Sequence, residues 1–101
     1  VVAGYVSIEN IQFLENLNIY PNPTSGKFYI NFNSLKSDEL QFSIYSASGK
    51  SVYTFNNEEV KIGDNNMQLD LNLIDIATGY YFLKIEGQNN NATLPVIYHK
   101  H

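Results

Sequence analysis

The sequence of 101 residues contains no cysteine and no arginine. Without cysteine it can form no disulfide, no thiolate nucleophile and no cysteine-ligated zinc site. Its six basic residues are all lysines spread along the chain, whereas nucleic-acid binding needs clustered positive charge and usually the two-pronged guanidinium of arginine. Ten acidic residues bring the net charge to −4, so we expect no nucleic-acid partner.

Long hydrophobic runs are also missing, and no stretch approaches the eighteen apolar residues that a membrane-spanning helix needs. Apolar residues make up 44% of the chain and aromatic residues 14%, which is typical of a folded domain and not of a disordered segment. The length suits one domain. The chain starts with two valines and no signal peptide, and we interpret it as a piece of a longer protein.

Short stretches of alternating apolar and polar residues recur from residue 18 onward, and this period of two predicts β-strands. Turn-forming Gly, Ser and Asn residues separate them. About seven short strands without a convincing long helix predict an all-β fold, an immunoglobulin-like antiparallel β-sandwich. The predicted strands are 18–20, 27–33, 40–45, 51–55, 67–73, 80–86 and 93–99.

The inward phase of these strands predicts the core: Phe28, Ile30, Phe32, Phe42, Ile44, Val52, Leu69, Leu71, Tyr81, Leu83 and Ile85. Pro95 interrupts the last strand, and because proline cannot donate to a ladder, we expect this strand to be an edge or to carry a bulge. Residues 1–14 are ambiguous, since Ile8, Ile11 and Leu14 have helical spacing whereas Ile11 and Phe13 would suit a strand. We predict that residues 1–14 are a linker remnant or N-terminal extension and that 15–101 form the domain.

Candidate catalytic groups are few. The two histidines, His99 and His101, lie at the C-terminus, where a general base would be poorly positioned. Neighbouring carboxylates occur in pairs at 38–39 and 58–59, and the oxygen-rich segment 63–66 lacks the ligand spacing of a calcium loop. No phosphate-binding glycine loop or nucleophile motif is present. We therefore predict that the chain is not an enzyme and needs no cofactor or metal.

Two non-catalytic functions stay open from the residues alone. Tyr29, Tyr45 and Tyr53 occupy the outward phase of their strands, so they could form an aromatic platform for a carbohydrate-binding accessory module. Alternatively, the domain is an inert immunoglobulin-like spacer.

The strongest local signal is the segment YPNPTSG at residues 20–26. Pro21 and Pro23 each fix their own φ and restrict the residue before them. Gly26 can adopt the positive φ that lets the chain fold back into the next strand. The segment predicts a rigid corner between two strands.

Together with later segments, this corner resembles the type IX secretion C-terminal sorting domains (the Por secretion tail family). Residues 17–26 (LNIYPNPTSG) resemble the opening of that family, residues 42–52 its glycine-lysine hairpin, residues 71–85 its leucine-and-tyrosine block, and residues 96–100 its apolar ending with lysine. The likeness covers about residues 17–100. Two departures are Ser46, where the family often has aspartate, and Pro95 within the last strand.

The resemblance implies that residues 15–101 are a C-terminal sorting domain that directs a larger cargo protein across the outer membrane of a Gram-negative bacterium. The cargo would pass through the periplasm to the cell surface or the medium. The implied partners are an outer-membrane translocon, a shuttle and a sortase-like protease that removes the domain, besides the upstream cargo. Its motif residues are Pro21, Asn22, Pro23, Gly26, Gly49, Lys50, Gly79, Tyr81, Val96 and Lys100.

A recognition mechanism also follows as a hypothesis. If residues 92–100 form an edge strand, its unpaired N–H and C=O groups are a template to which a partner could add a strand.

Overall fold

A computed structural model describes residues 14–88 and 90–100. In this part of the chain the backbone forms eight strands and one short 3₁₀ helix at Leu71–Leu73. The strands are β1 (Leu14–Tyr20), β2 (Lys27–Ser34), β3 (Asp38–Ser46), β4 (Ser51–Thr54), β5 (Glu58–Val60), β6 (Gly63–Asp70), β7 (Gly79–Glu86) and β8 (Asn91–Tyr98). No helix among the described residues is long and apolar enough to span a bilayer.

The strands form two antiparallel sheets. One sheet has the order β1-β2-β6, and the other has the order β4-β3-β7-β8 with β5 also paired to β3. Strand β5 continues the line of β4 along β3, because the N–H of Phe55 between them still donates to the carbonyl of Phe42 at 2.8 Å. The predicted all-β sandwich is confirmed.

The core lies between the two sheets and is built from the inward phase of both. Alternation is clearest in β2, where every second residue from Phe28 to Ser34 is buried. Nine of the eleven predicted core residues are buried, while Val52 and Leu69 are half-buried against them. The remaining buried apolar residues are Leu14, Leu40, Val60, Val96 and Tyr98.

Two predictions about individual elements are wrong. The stretch 67–73 is not one strand, because the Asp70 carboxylate accepts the N–H of Asn72 at 2.9 Å and caps a 3₁₀ turn. That turn buries Leu71 and leaves Leu73 82% exposed. Strand β5 forms at Glu58–Val60, which is not among the predicted strands, and its Val60 reaches the core.

At its N-terminal end, β1 begins at Leu14, which is buried and pairs with Ser34. A bulge follows between Glu15 and Asn18, where Asn16 has a φ of 56°. The ambiguous positions Ile8, Ile11 and Phe13 lie outside the described residues.

Candidate functional site

The corner (residues 21–26) connects β1 to β2 and lies against the end of β8. Thr24 is buried in it and pairs with β8 like a very short parallel strand. Its N–H donates to the carbonyl of Ile97 at 2.8 Å, and its carbonyl accepts the N–H of His99 at 2.8 Å. Its hydroxyl closes the turn, donating to the carbonyl of Lys27 at 2.5 Å and accepting the N–H of Gly26 at 3.0 Å.

Asn22 extends this pairing with its side chain. The Asn22 amide nitrogen donates to the carbonyl of Pro95 at 3.0 Å, and its oxygen accepts the N–H of Ile97 at 2.9 Å. One side-chain amide thus supplies the donor and acceptor that a neighbouring strand would supply. Both peptide bonds before proline in the corner, at Pro21 and Pro23, are cis.

Strand β8 is the edge of its sheet, as Pro95 predicted, and pairs with β7 without a bulge. The expectation that its outer side is unpaired is wrong for the half from Pro95 to His99. There the corner already occupies the backbone groups that face away from β7. Toward the start of the strand, no described strand pairs with the side of Thr93 that faces away from β7.

Gly26 fits the corner tightly against the 3₁₀ turn. Its φ is +149°, and a Cβ atom there would lie 2.0 Å from the amide nitrogen of Asn72. The Asn72 side chain is itself held, because its oxygen accepts the hydroxyl of Tyr98 at 2.8 Å. The carbonyl of Gly26 also accepts the N–H of Leu71 at 3.0 Å. Gly26 therefore allows the corner, the 3₁₀ turn and the end of β8 to meet.

The start of β7 completes this end of the sandwich. Gly79 pairs with Tyr98 in the ladder. Tyr81 is buried, donates its hydroxyl to the carbonyl of Ala77 at 2.6 Å, and packs edge-on against the ring of Tyr98 with 6.5 Å between centroids. The backbone N–H of Lys100 donates to the hydroxyl of Thr78 at 2.9 Å.

The hairpin between β3 and β4 lies at the same end, because Ser46 pairs with Tyr81 across the sheet. Gly49 has a φ of +92° and closes the turn by donating to the carbonyl of Ser46 at 2.9 Å. The Ser46 hydroxyl accepts the N–H of Lys50 at 3.2 Å, so this serine caps the turn.

All ten sequence-selected residues thus lie at one end of the sandwich or in the strands that lead to it. Tyr81 and Val96 are buried, whereas Asn22, Lys50 and Lys100 are exposed. Sequence reasoning missed Thr24 and Asn72 as partners of the last strand. Their bonds to Ile97, His99 and Tyr98 span long sequence separations, and only the polar character of these residues hinted at them.

The three tyrosines that could have formed one aromatic platform do not lie on the same sheet. Tyr29 belongs to the three-stranded sheet, while Tyr45 and Tyr53 belong to the other sheet. Tyr29 instead stacks on Tyr20, with 5.5 Å between ring centroids.

Among the residues that the structure covers, no group of three or more His, Asp or Glu could hold a metal ion. His99 is exposed, and His101 lies outside the described residues.

The chain matches a family model described as the secretion system C-terminal sorting domain over residues 18–99. The matched region runs from β1, through the corner, to the end of β8. None of the curated proteins matches the chain.

Proposed function

We propose that this chain, which belongs to the family of secretion system C-terminal sorting domains, carries a larger cargo protein across the outer membrane. The family provides the C-terminal sorting signal of type IX secretion, and its members interact with that machinery while attached to a cargo. The destination is the cell surface or the medium of a Gram-negative bacterium. The finer route, through the periplasm to an outer-membrane translocon with the help of a shuttle, is part of the proposal.

In this proposal, the machinery recognises the end of the sandwich where the corner pairs with β8. One observation supports it above the others: the Asn22 side chain joins the first family motif to the last one across more than seventy residues of sequence. Pro21, Asn22 and Pro23 remain exposed although Thr24 beneath them is buried. Because the buried Thr24 fixes the exposed corner in a defined position, a partner can bind it with little loss of conformational entropy.

This surface replaces the open edge strand that the sequence suggested. A partner strand could add to the outer side of β8 near Pro95 and Ile97 only by displacing Asn22 and Thr24. We propose that the machinery binds the corner and β8 together as a folded unit.

Removal of the domain by a sortase-like protease is also proposed. Strand β1 is paired with β2 from Leu14 onward, and a protease needs an extended, accessible segment. A cut that releases the intact sandwich would therefore fall before Leu14.

The test is a reporter fused ahead of the 101-residue chain and directed to the periplasm of a type IX-competent host. We expect the reporter at the surface or in the medium, and we expect Asn22→Ala to retain most of it in the periplasm. The matched control is Asn57→Ala, since Asn57 is also exposed and accepts one side-chain hydrogen bond, from Gln41. Asn57→Ala should be exported like the unchanged chain.

Periplasmic retention of the reporter with a folded, unchanged domain would show instead that the domain is an inert spacer. Equal export of Asn22→Ala and the unchanged chain would refute the recognition surface while leaving the sorting function intact.

A further inference from the structure

The three-stranded sheet turns a polar, amide-rich surface to solvent on the side away from the core. We call it the amide face and define it by six side chains on β1, β2 and β6: Tyr20, Tyr29, Asn31, Asn33, Asp64 and Asn66. None of the six belongs to the apolar core.

Two tyrosines form the aromatic part of the amide face. Tyr20 and Tyr29 are opposite each other on β1 and β2, with ring planes 28° apart. They keep 39% and 36% of their surface exposed, so aromatic surface remains open to a ligand. A tyrosine offers an apolar ring that can cover C–H groups and a hydroxyl that can bond to an oxygen.

Next to the tyrosines, the side-chain amides of Asn31 and Asn66 are already oriented by hydrogen bonds. The Asn66 amide nitrogen donates to the hydroxyl of Tyr20 at 3.1 Å and to the amide oxygen of Asn31 at 2.7 Å. The Tyr20 hydroxyl thereby accepts a bond and keeps its own proton to donate, and the Asn31 nitrogen keeps both of its protons. These groups are fixed in place before any ligand arrives.

The amide face also contains a hollow of about 210 Å³, which is lined by Asn16, Asn31, Phe32, Asn33 and Asp64. The β1 bulge with its positive φ at Asn16 is part of its wall. The Asn33 nitrogen donates to one carboxylate oxygen of Asp64 at 3.1 Å, and no described residue donates to the second oxygen, which can accept from a ligand. The hollow is smaller than the roughly 300–1,000 Å³ of sites for drug-sized ligands, and its size suits one sugar ring.

We propose that the amide face binds a neutral glycan. One pyranose ring would lie in the hollow, with its hydroxyl groups donating to Asp64 and accepting from Asn31. The next unit would place its C–H face on Tyr29. Vicinal hydroxyls both donate and accept, which matches this alternation of carboxylate, amides and phenols.

Charge argues for an uncharged ligand. The six side chains of the amide face include a carboxylate at Asp64 and no lysine, and the whole chain carries a net charge of −4. Both would repel an acidic polysaccharide. The amide face lies on the three-stranded sheet and not on β8, and none of its six residues belongs to the corner at 21–26.

The test titrates the isotope-labelled 101-residue chain with cellohexaose, mannohexaose and xylohexaose, with polygalacturonate as the acidic probe. We expect at least one neutral hexasaccharide to shift the NMR signals of the Asn31, Asn33 and Asn66 side-chain amides. Affinity should fall about tenfold in Tyr29→Ala and in Asp64→Ala, the loss expected when a stacked ring or a charged acceptor is removed.

Tyr53→Ala is the matched control, because Tyr53 is 43% exposed but lies in the other sheet. It should change the affinity less than about twofold. Tyr29→Phe keeps the ring and should retain binding, and it reports on the site if Tyr29→Ala does not fold. No shift with any neutral probe, shifts confined to the other sheet, or equal binding of polygalacturonate would each overturn the proposal.

Discussion

At the scale of single residues, the corner depends on positions where little else would fit. Gly26 combines a positive φ with no room for a Cβ atom, because the Asn72 side chain fills that space while bonding to Tyr98. Thr24 uses its backbone for β8 and its hydroxyl for the turn, which satisfies a buried polar group completely. The local backbone conformation and the tertiary packing of the corner therefore both favour the residues found at positions 24 and 26.

Gly26→Ala should destabilise the domain by about 1–3 kcal/mol, since it adds backbone strain and displaces Asn72 from Tyr98. Urea unfolding followed by far-UV circular dichroism measures the loss. Gly49→Ala is the control, because Gly49 also has a positive φ but open space around it, and only about 1–2 kcal/mol of strain applies.

Replacing Asn72 should separate the two causes of this destabilisation, which are backbone strain at position 26 and crowding by the Asn72 side chain. In the background of Asn72→Ala, the additional cost of Gly26→Ala should shrink to that of Gly49→Ala. An undiminished cost in that background would show that crowding by Asn72 is not the reason for glycine at position 26.

At the scale of elements, β8 is an edge strand whose two sides are used differently. One side pairs along its whole length with β7, and the other is closed by the corner only from Pro95 onward. Proline is tolerated at position 95 because its missing N–H would point away from β7, where the Asn22 amide needs only the carbonyl.

Ile97→Pro should leave the domain folded and weaken only the corner. The N–H of Ile97 donates to Asn22 and not to β7, so proline there removes one hydrogen bond worth about 0.5–1.5 kcal/mol. Thermal unfolding should shift slightly, while export of a fused reporter should fall strongly.

Val96→Pro is the contrasting variant, because the alternation along β8 turns the N–H of Val96 toward β7 and its side chain into the core. It should destabilise the domain clearly more than Ile97→Pro does, because it removes a ladder hydrogen bond and a buried side chain together. If Ile97→Pro unfolded the domain as severely as Val96→Pro, the corner would not be the only partner of the outer side of β8 near Ile97.

At the scale of the whole molecule, the two sheets are held together by one shared core. The three-stranded sheet contributes Phe28, Ile30 and Phe32, and the other contributes Ile44 and Leu83 among others. Neither sheet can bury its apolar face without the other, so we expect them to unfold together.

Ile30→Ala and Leu83→Ala, one in each sheet, should each destabilise the domain by about 2–5 kcal/mol through lost burial and the cavity left behind. Tyrosine fluorescence and circular dichroism should report one common transition in both variants. Leu73→Ala, at an 82% exposed position, should change stability by less than about 0.5 kcal/mol. Separate transitions for the two sheets would contradict a shared core.

What the sequence by itself determined is the part of the structure that depends on neighbours in the chain. The period of two in β2 and β7 predicted the strands and most of the core, because alternation alone decides which side chains point inward. The order of four short motifs was sufficient for the family and its sorting function.

Only the tertiary structure decided which of these pieces meet. The bond from Asn22 to Pro95 spans 73 residues, and no local pattern encodes such a contact. The same holds for the separation of Tyr29 from Tyr45, because membership of a sheet depends on how strands pair and not on their own alternation. The amide face and the closed half of β8 both follow from strand pairing between segments far apart in the chain.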